Sequence, residues 1–556
     1  MHSKRLILPL LVLASAGGVL LAQGPPPPPP PLIQPPSPPG NPVTLAKTNL
    51  GKVLFWDEQL SSNRSMACGT CHVVSQGGSD PRTHAANPAS ANAGPDGQLG
   101  TSDDILGSPG ISRLDAAGNY LLDPQFRLQP QVGTRRAPSV LNAAYVPQQF
   151  WDGRAQPQFV DPISNNVILQ AGASLESQVL GPPVNSVEMA HQHRDWNQVA
   201  AQIASSLPLR LSPSIPAALA SWINGRDYPA LFQEAFGTAG VTPVRIAEAI
   251  ATYERTLWTG QTPIDAFFGG QQNALTPQEL AGQAVFTGPG QCVVCHVGNL
   301  FTDHSFRYTG VRPPAEDEGR FAVTGNPGDH GRMKVPGLRN VELRAPYFHN
   351  GRMATLEDVI EFYDRGGDFN APNKDPAIHP LNLTAMQKAN LAAFLRRPLT
   401  DPRVAQASGP FEHPALFSGS PLVLQSFGQG TSGVAGVVPS MLALEPAYAG
   451  NARLTFALDH ARAGRIAALV VGNGSIVNGT PFFGTDLYVD LAQTHSLVRV
   501  PALAGNGDSG GYGSTSIAIA PDPLLVGVPL FAQWIVFDST PGVRFAATAP
   551  VGGVRF

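Results

Sequence analysis

The chain holds four cysteines, and all four fall into two copies of one frame: Cys68-Gly-Thr-Cys71-His72 and Cys292-Val-Val-Cys295-His296. A Cys-x-x-Cys pair with histidine directly after it is the attachment frame of a c-type haem. Two thioether bonds tie the haem vinyl groups to a short helical turn, and the adjacent imidazole reaches the iron as proximal ligand. A thioredoxin-like pair, a zinc site or disulfides would use the cysteines, but none of these needs a histidine after each pair. The sequence therefore predicts two covalently attached c-type haems, on Cys68, Cys71 and His72 and on Cys292, Cys295 and His296.

Elements that read as helix lead into both frames. Leu45 to Phe55, followed by Leu60-Ser-Ser-Asn-Arg, precedes the first. Thr276-Pro277-Gln278-Glu279 opens a helix before the second, with an N-cap, a proline in the first turn and a Glu at the third position, and the helix runs to about Phe286. Trp196 to Leu207 and Pro243 to Trp258 carry helical apolar periodicity, and Leu383-Thr384 opens a further helix that runs to about Arg396 and is closed by Pro398. After about Pro421 the texture changes to short apolar runs such as Ala467–Val471, Thr485–Leu491 and Phe531–Phe537, separated by Gly, Asn, Ser and Pro clusters. That is the signature of a small antiparallel β-sandwich. Its histidines, His460 and His495, stand alone, and no chemistry is assigned to it.

The expected fold class is thus mainly α, with two cytochrome c-like haem domains with long loops, plus a C-terminal all-β sandwich-like domain. The expected boundaries are a signal peptide at 1–22, a Pro-rich linker at 23–42, an N-terminal haem domain at 43–260, a C-terminal haem domain at 261–420 and the β domain at 421–556. The signal reading rests on Lys4-Arg5, an apolar run from Leu6 to Leu21 and small residues near Ala22. It implies a periplasmic or otherwise exported chain with no membrane span after signal removal. The proline run from Pro25 to Pro31 favours polyproline II and reads as a semi-rigid tether. Charged residues are only 14 %, and 36 Lys+Arg against 40 Asp+Glu give a net charge of −4, which excludes a basic nucleic-acid binder. Gly 58 and Pro 55 point to many loops and exclude a long coiled coil.

An ordered set of further motifs resembles the bacterial di-haem cytochrome c peroxidase family, which includes the MauG-type enzymes. The set is Leu54-Phe55-Trp56-Asp57, Pro138-Ser139-Val140-Leu141-Asn142, Phe150-Trp151-Asp152-Gly153-Arg154-Ala155, Leu175-Glu176-Ser177-Gln178 with Gly181-Pro182, Asn185 and Glu188-Met189, then Asp317-Glu318-Gly319-Arg320, Val335-Pro336-Gly337-Leu338-Arg339-Asn340 and Ala345-Pro346-Tyr347-Phe348-His349-Asn350-Gly351. The likeness runs from about Leu50 to Pro410. It implies that the first haem is peroxidatic, with Gln178 and, ten residues later, Glu188 in its distal pocket. A carboxylate there would serve as general base and then general acid in O–O cleavage, and the amide would orient peroxide without titrating. Trp151 matches the family's aromatic residue between the haems, and Arg154 is expected to anchor a haem propionate or an acidic partner. Fourteen residues past His349, where the peroxidases carry a Met ligand, stands Tyr363, which resembles the MauG-type arrangement. A phenolate ligand lowers the potential of a haem that a thioether would raise. Met353 is the alternative ligand in this stretch.

The resemblance also implies departures. His84 is the nearest candidate for a resting distal ligand of the first haem, at an unusual spacing. The loop from Arg82 to Gln131 is long and carries Asp96, Asp103 and Asp104, oxygen donors that suit calcium, though not at EF-hand spacing. The family's inter-haem calcium uses an Asn side chain just before the Ala-Pro step, where this chain has Arg136; the carbonyls of Arg344 and Pro346 match the other ligands. An insertion lies between Ala155 and Leu175, near the pocket mouth. The activity implied is reduction of hydrogen peroxide to water with electrons from a small donor protein, such as a c-type cytochrome or cupredoxin. The alternatives are a MauG-type oxidase that uses peroxide to oxidise a protein or small molecule, and a non-catalytic di-haem electron-transfer cytochrome.

Overall fold

A computed structural model describes residues 29–540 and 543–556. The expected signal at 1–22, and the linker as far as residue 28, lie outside the described residues.

Each Cys-x-x-Cys-His frame follows a helix that crosses a later helix at a glycine. Helix α1 (Leu45–Trp56) starts at Thr44, whose hydroxyl accepts the Lys47 N–H. Helix α2 (Ser174–Val179) is short and precedes α3 (Pro243–Glu254), which packs along α1. At Gly51 a Cβ would come within 1.9 Å of the Ala249 carbonyl oxygen, so only glycine lets the backbones meet this closely. The second frame repeats the device. Helix α4 (Pro277–Thr287) has the expected capping box, with Thr276 and Glu279 bonded reciprocally. It packs on the helix Ala385–Leu395, where a Cβ on Gly282 would lie 2.0 Å from the Asn390 carbonyl oxygen. Leu54, Phe55, Ile246 and Ile250 belong to one apolar cluster, and Phe286, Leu391 and Phe394 to another.

Two helices stop earlier than their periodicity suggests. The first covers Trp196–Ala204, not reaching Leu207, because Ser205 and Ser206 turn their hydroxyls back onto the carbonyls of the last turn and Pro208 follows. Helix α3 ends at Glu254, where Thr256 and Leu257 close a tight turn and Arg255 is drawn into a buried ion pair with Glu176 of α2.

Beyond residue 421 the extended structure is organised in two main antiparallel sheets and a hairpin. Ser440–Leu442, Leu454–Ala461 and Gly511–Ile517 form one sheet; Thr494–Val500, Ala467–Gly472, Pro529–Thr540, Val551–Val554 and Gln425–Ser426 run across the other. Phe456 and Leu458 of the first share a core with Leu469, Val471, Leu530 and Trp534 of the second. Val470 and Ile535 face the opposite way, against Leu487 and Val489 of the hairpin Ser475–Phe482/Thr485–Val489. Burial on both faces explains why Ala467–Val471 reads as an unbroken apolar run. These strands join the rest of the molecule directly: Leu442 and Ala457 belong to the same cluster as α1 and α3, and Arg127 grips Asp459 through two bonds of 3.1 and 2.6 Å. Among the described residues no helix is long and apolar enough to cross a membrane.

Candidate functional site

Downstream of α4, a tight turn at Cys292–Val294 carries the second frame. His296 Nδ1 lies 2.8 Å from the Phe301 carbonyl oxygen. A ring nitrogen facing a carbonyl is the protonated one, so Nε2 is the lone-pair nitrogen available to a metal. Burial lowers the His296 pKa and holds the ring neutral. Cys292, Cys295, His296 and Tyr363 all line one cavity. Tyr363 reaches it from α5 (Leu356–Asp364), whose capping box joins Thr355 and Asp358. Met353, by contrast, is buried with Val311 and Phe362 and is not part of the cavity wall.

The charges in that wall test whether a haem fits. Arg307, Arg312 and Arg339 are paired, with Asp303 and Asp375, with Glu316 and with Asp265 respectively. Arg136, Arg344 and Lys334 have no carboxylate partner among the described residues; their heads donate to the carbonyls of Arg344 (2.7 Å), Gly337 (2.6 Å) and Gln148 (2.7 Å). Burial lowers the pKa of Lys334 to about 7 and those of both arginines to about 10. The buried Nδ1 of His304, also in the wall, has no hydrogen-bond partner among the described residues. Unpaired buried cations are costly unless an anion meets them. An apolar ring bearing two carboxylates has the chemistry that this wall lacks, so the residues fit a haem.

The first frame repeats the local geometry. Cys68–Cys71 form one helical turn, with the Ala67 N–H bonded to Thr70 Oγ1 at 2.9 Å. His72 Nδ1 lies 3.2 Å from the Gly78 carbonyl oxygen, again leaving Nε2 free, and burial keeps this ring neutral too. The indole of Trp56 lies on Gly69, where a Cβ would come within 2.3 Å of it, so the middle of the frame has to be glycine. Arg82 donates to the Cys71 sulfur at 3.2 Å and pairs with Asp80 at 2.8 Å.

Burial raises the thiol pKa values of Cys68 and Cys71, and the charge of the half-buried Glu188 adds a smaller push to each. Burial raises its own pKa and the nearby Arg154 opposes the rise. Its position is set by backbone contacts: Asn185 Oδ1 accepts the Val187 and Glu188 N–H groups, and the Val187 carbonyl accepts from Ile111 at 3.1 Å. Gln178, half-buried, stands on α2, which the Glu176–Arg255 pair fastens to α3 with two bonds of 2.9 Å. A turn at Pro182–Val184 carries the chain from that helix to Asn185.

One bonded chain runs from the first frame to the second cavity. Ser79, in the loop after His72, accepts from Arg136 Nη2 at 3.2 Å; the Arg136 carbonyl accepts from Trp151 Nε1 at 2.9 Å; the Trp151 carbonyl accepts the Lys334 N–H at 2.8 Å. The Trp151 ring meets His349 edge-on, centroids 6.2 Å apart. Arg154 is bonded to Asp152 at 3.0 Å and stacked 3.6 Å over Phe150, so its charge already has a carboxylate partner. His84 is exposed. The expected insertion forms a hairpin of Phe159–Val160 and Val167–Leu169.

In the acidic loop, Asp103 and Asp104 accept from the N–H groups of Asp96 and Gly100, and no group of three or more His, Cys, Asp or Glu among the described residues is placed to hold a metal ion. At the other expected place, the Arg344 carbonyl already receives the Arg136 guanidinium.

Sequence reasoning missed three cavity or frame residues, Lys334, His304 and Glu254, and used Arg344 for its carbonyl but not for its side chain. Glu254 is buried on α3, its charge also bears on Cys68, its Oε2 has no partner among the described residues, and burial pushes its pKa to about 8. The available signal was an acid in the last turn of a helix otherwise lined by Ile246, Ile250 and Tyr253.

A family model described as di-haem cytochrome c peroxidase matches residues 45–273. Cytochrome c551 peroxidase of Nitrosomonas europaea is 33 % identical over 320 residues, covering 57 % of this chain and 72 % of that protein. Methylamine utilization protein MauG of Methylorubrum extorquens is 29 % identical over 369 residues, covering 66 % and 82 %. A crystal structure of a MauG-like protein associated with microbial copper homeostasis aligns with a TM-score of 0.49 at 25 % identity, over 68 % of this chain and 96 % of that one. Identity of a third, sustained over 320 residues and through most of the relative's length, goes well beyond a shared pair of attachment frames: the chain belongs to the di-haem cytochrome c peroxidase family, whose members are haem-dependent oxidoreductases.

Proposed function

We propose that the protein reduces hydrogen peroxide to water at the first frame, with electrons delivered by a small redox protein and passed through the second. The observation that carries this reading is Glu188, a half-buried carboxyl whose charge bears on both Cys68 and Cys71 and whose own pKa burial raises. Cys68, Cys71 and His72 would hold one haem and Cys292, Cys295 and His296 a second, and these would supply the redox chemistry. Glu188 accepts a proton from one peroxide oxygen and returns it to the oxygen that leaves as water. The Gln178 amide orients peroxide by hydrogen bonding. Arg344, Lys334 and His304 would meet the carboxylates of the second haem. Trp151 offers a polarisable bridge where the loops of the two frames meet. In this reading 43–260 is the peroxidatic part, 261–420 the electron-transfer part, and 421–556 has no assigned chemistry. The apolar run after Lys4-Arg5 supports export to the periplasm.

A second reading, a MauG-type oxidase that draws electrons from a protein or small molecule, is favoured by one observation: Tyr363, not Met353, lines the cavity of the second frame. Steady-state turnover decides between the two. The peroxidase is expected to oxidise a reduced small c-type cytochrome or cupredoxin at two equivalents per peroxide. Prompt reaction with peroxide but no donor turnover favours the oxidase. No reaction with peroxide overturns both and leaves an electron-transfer cytochrome.

A further inference from the structure

We propose that Arg136 is a built-in cation that stands in for a divalent ion between the two frames, so that this protein joins them without calcium. The family resemblance puts a cation where the Arg344 carbonyl converges with the residue before the Ala137-Pro138 step. In this chain that residue brings its own positive charge. Arg136 Nη1 donates to the Arg344 carbonyl at 2.7 Å, and Nη2 to Ser79 Oγ at 3.2 Å. Its main chain is fixed as well, the N–H on the His349 carbonyl at 2.8 Å and the carbonyl under the Trp151 indole N–H at 2.9 Å. One residue thereby binds the loop after His72, the Trp151 turn and the segment from Arg344 to His349, the pieces that an ion would have to gather.

Two physical points favour replacement over coexistence. The carbonyl oxygen that an ion would take as ligand is already hydrogen-bonded to a cation. Arg136 is only 5 % exposed and makes no salt bridge among the described residues, so a divalent ion at the same carbonyl would sit directly against a like charge. Its pKa, though lowered by burial to about 10, keeps it protonated at neutral pH. The inference goes beyond the peroxidase reading and does not depend on turnover.

The test is thermal unfolding of the haem-loaded chain in EGTA and in about 1 mM calcium, with haem content read separately from absorbance. The wild-type Tm is expected to agree in the two media to within about 1 °C. The R136N variant is expected to unfold several degrees lower in EGTA and to regain much of that loss in calcium, since an ion that binds only the folded chain raises its stability. R136K, which keeps the charge, is expected to show no calcium response and keeps the test decisive if R136N fails to fold. The series is repeated in a D103N/D104N chain, which removes the acidic loop from the reading. A wild-type calcium response that persists in that background overturns the proposal, as does a calcium requirement in R136K or a loss in R136N that calcium does not reverse. A chain that carries fewer than two haems counts against the peroxidase reading and not against this one.

Discussion

In the proposed reading, Glu188 owes its usefulness as a base to where its carboxyl is held. A surface carboxylate near the frame would be ionised but too weak a base to hold a proton during bond cleavage; burial beside Cys68 and Cys71 raises the proton affinity. We expect E188Q to keep its haem content while the second-order rate with peroxide, read by stopped flow, falls about 10²–10⁴-fold. The base must be ionised before peroxide reacts, so the rate falls as pH drops through the Glu188 pKa. That limb is expected above the usual carboxylate value of about 4.3. Arg154 opposes the rise, so R154A moves the limb to higher pH; a limb that stays put or moves down removes Glu188 as the group being read. In the MauG-type reading the side chain that tunes the second frame is Tyr363, which lines its cavity. Axial ligands set haem potentials across a range of about 0.8 V, and thioethers lie toward the high end. Y363M is therefore expected to raise the midpoint potential of one haem by on the order of 100 mV in spectroelectrochemical titration, and to leave the other unchanged.

Helices position these residues through contacts that differ greatly in how far they reach along the chain, and that reach decides what the sequence discloses. The Cys-x-x-Cys-His frames and the Thr276–Glu279 capping box involve neighbours a few residues apart, and both are legible directly. Tyr363 is found by counting from His349. The helix ends at Ala204 and Glu254 are overshot because apolar spacing continues past the point where the backbone leaves the helix. The contact from Arg136 to Arg344 joins positions 208 apart, and only the family resemblance, not a local pattern, places the two at one site. The two glycine crossings are equally silent, since Gly51 and Gly282 look like ordinary weak points in a helix until their partners are in place. Because a Cβ at either would strike a carbonyl oxygen, at 1.9 and 2.0 Å, the helices would have to separate. G51A and G282A are each expected to cost at least the roughly 1–3 kcal/mol of an overpacked core, measured by urea unfolding. The damage should stay local, with G51A disturbing the His72 haem spectrum and G282A that of His296. Equal disturbance of both spectra by either variant would show that the two helix pairs do not support the frames separately.

At the scale of the whole molecule, the C-terminal strands are tied to the first frame's surroundings by buried polar contacts. Glu58, two residues beyond α1 and only 2 % exposed, accepts the N–H groups of Phe417 at 2.6 Å and Ser418 at 3.0 Å on the approach to the sheets. Burial lifts its pKa from 4.5 to about 7. The sign follows from proton counting: between those values the folded chain holds a proton that the unfolded chain has lost, so the stabilisation is complete below about 4.5 and disappears as pH rises through about 7. A shift of this size corresponds to on the order of 3 kcal/mol at its limit. In E58Q one of the two N–H groups faces an amide donor in place of an acceptor, a loss of about 1 kcal/mol that does not vary with pH. Urea unfolding at pH 5 and pH 8 should therefore show wild type ahead of E58Q at the lower pH, and the difference closing or reversing at the higher one. A difference that is constant across this range would mean that Glu58 titrates alike in the folded and unfolded chains, and that the junction between the first frame and the C-terminal strands is open to water.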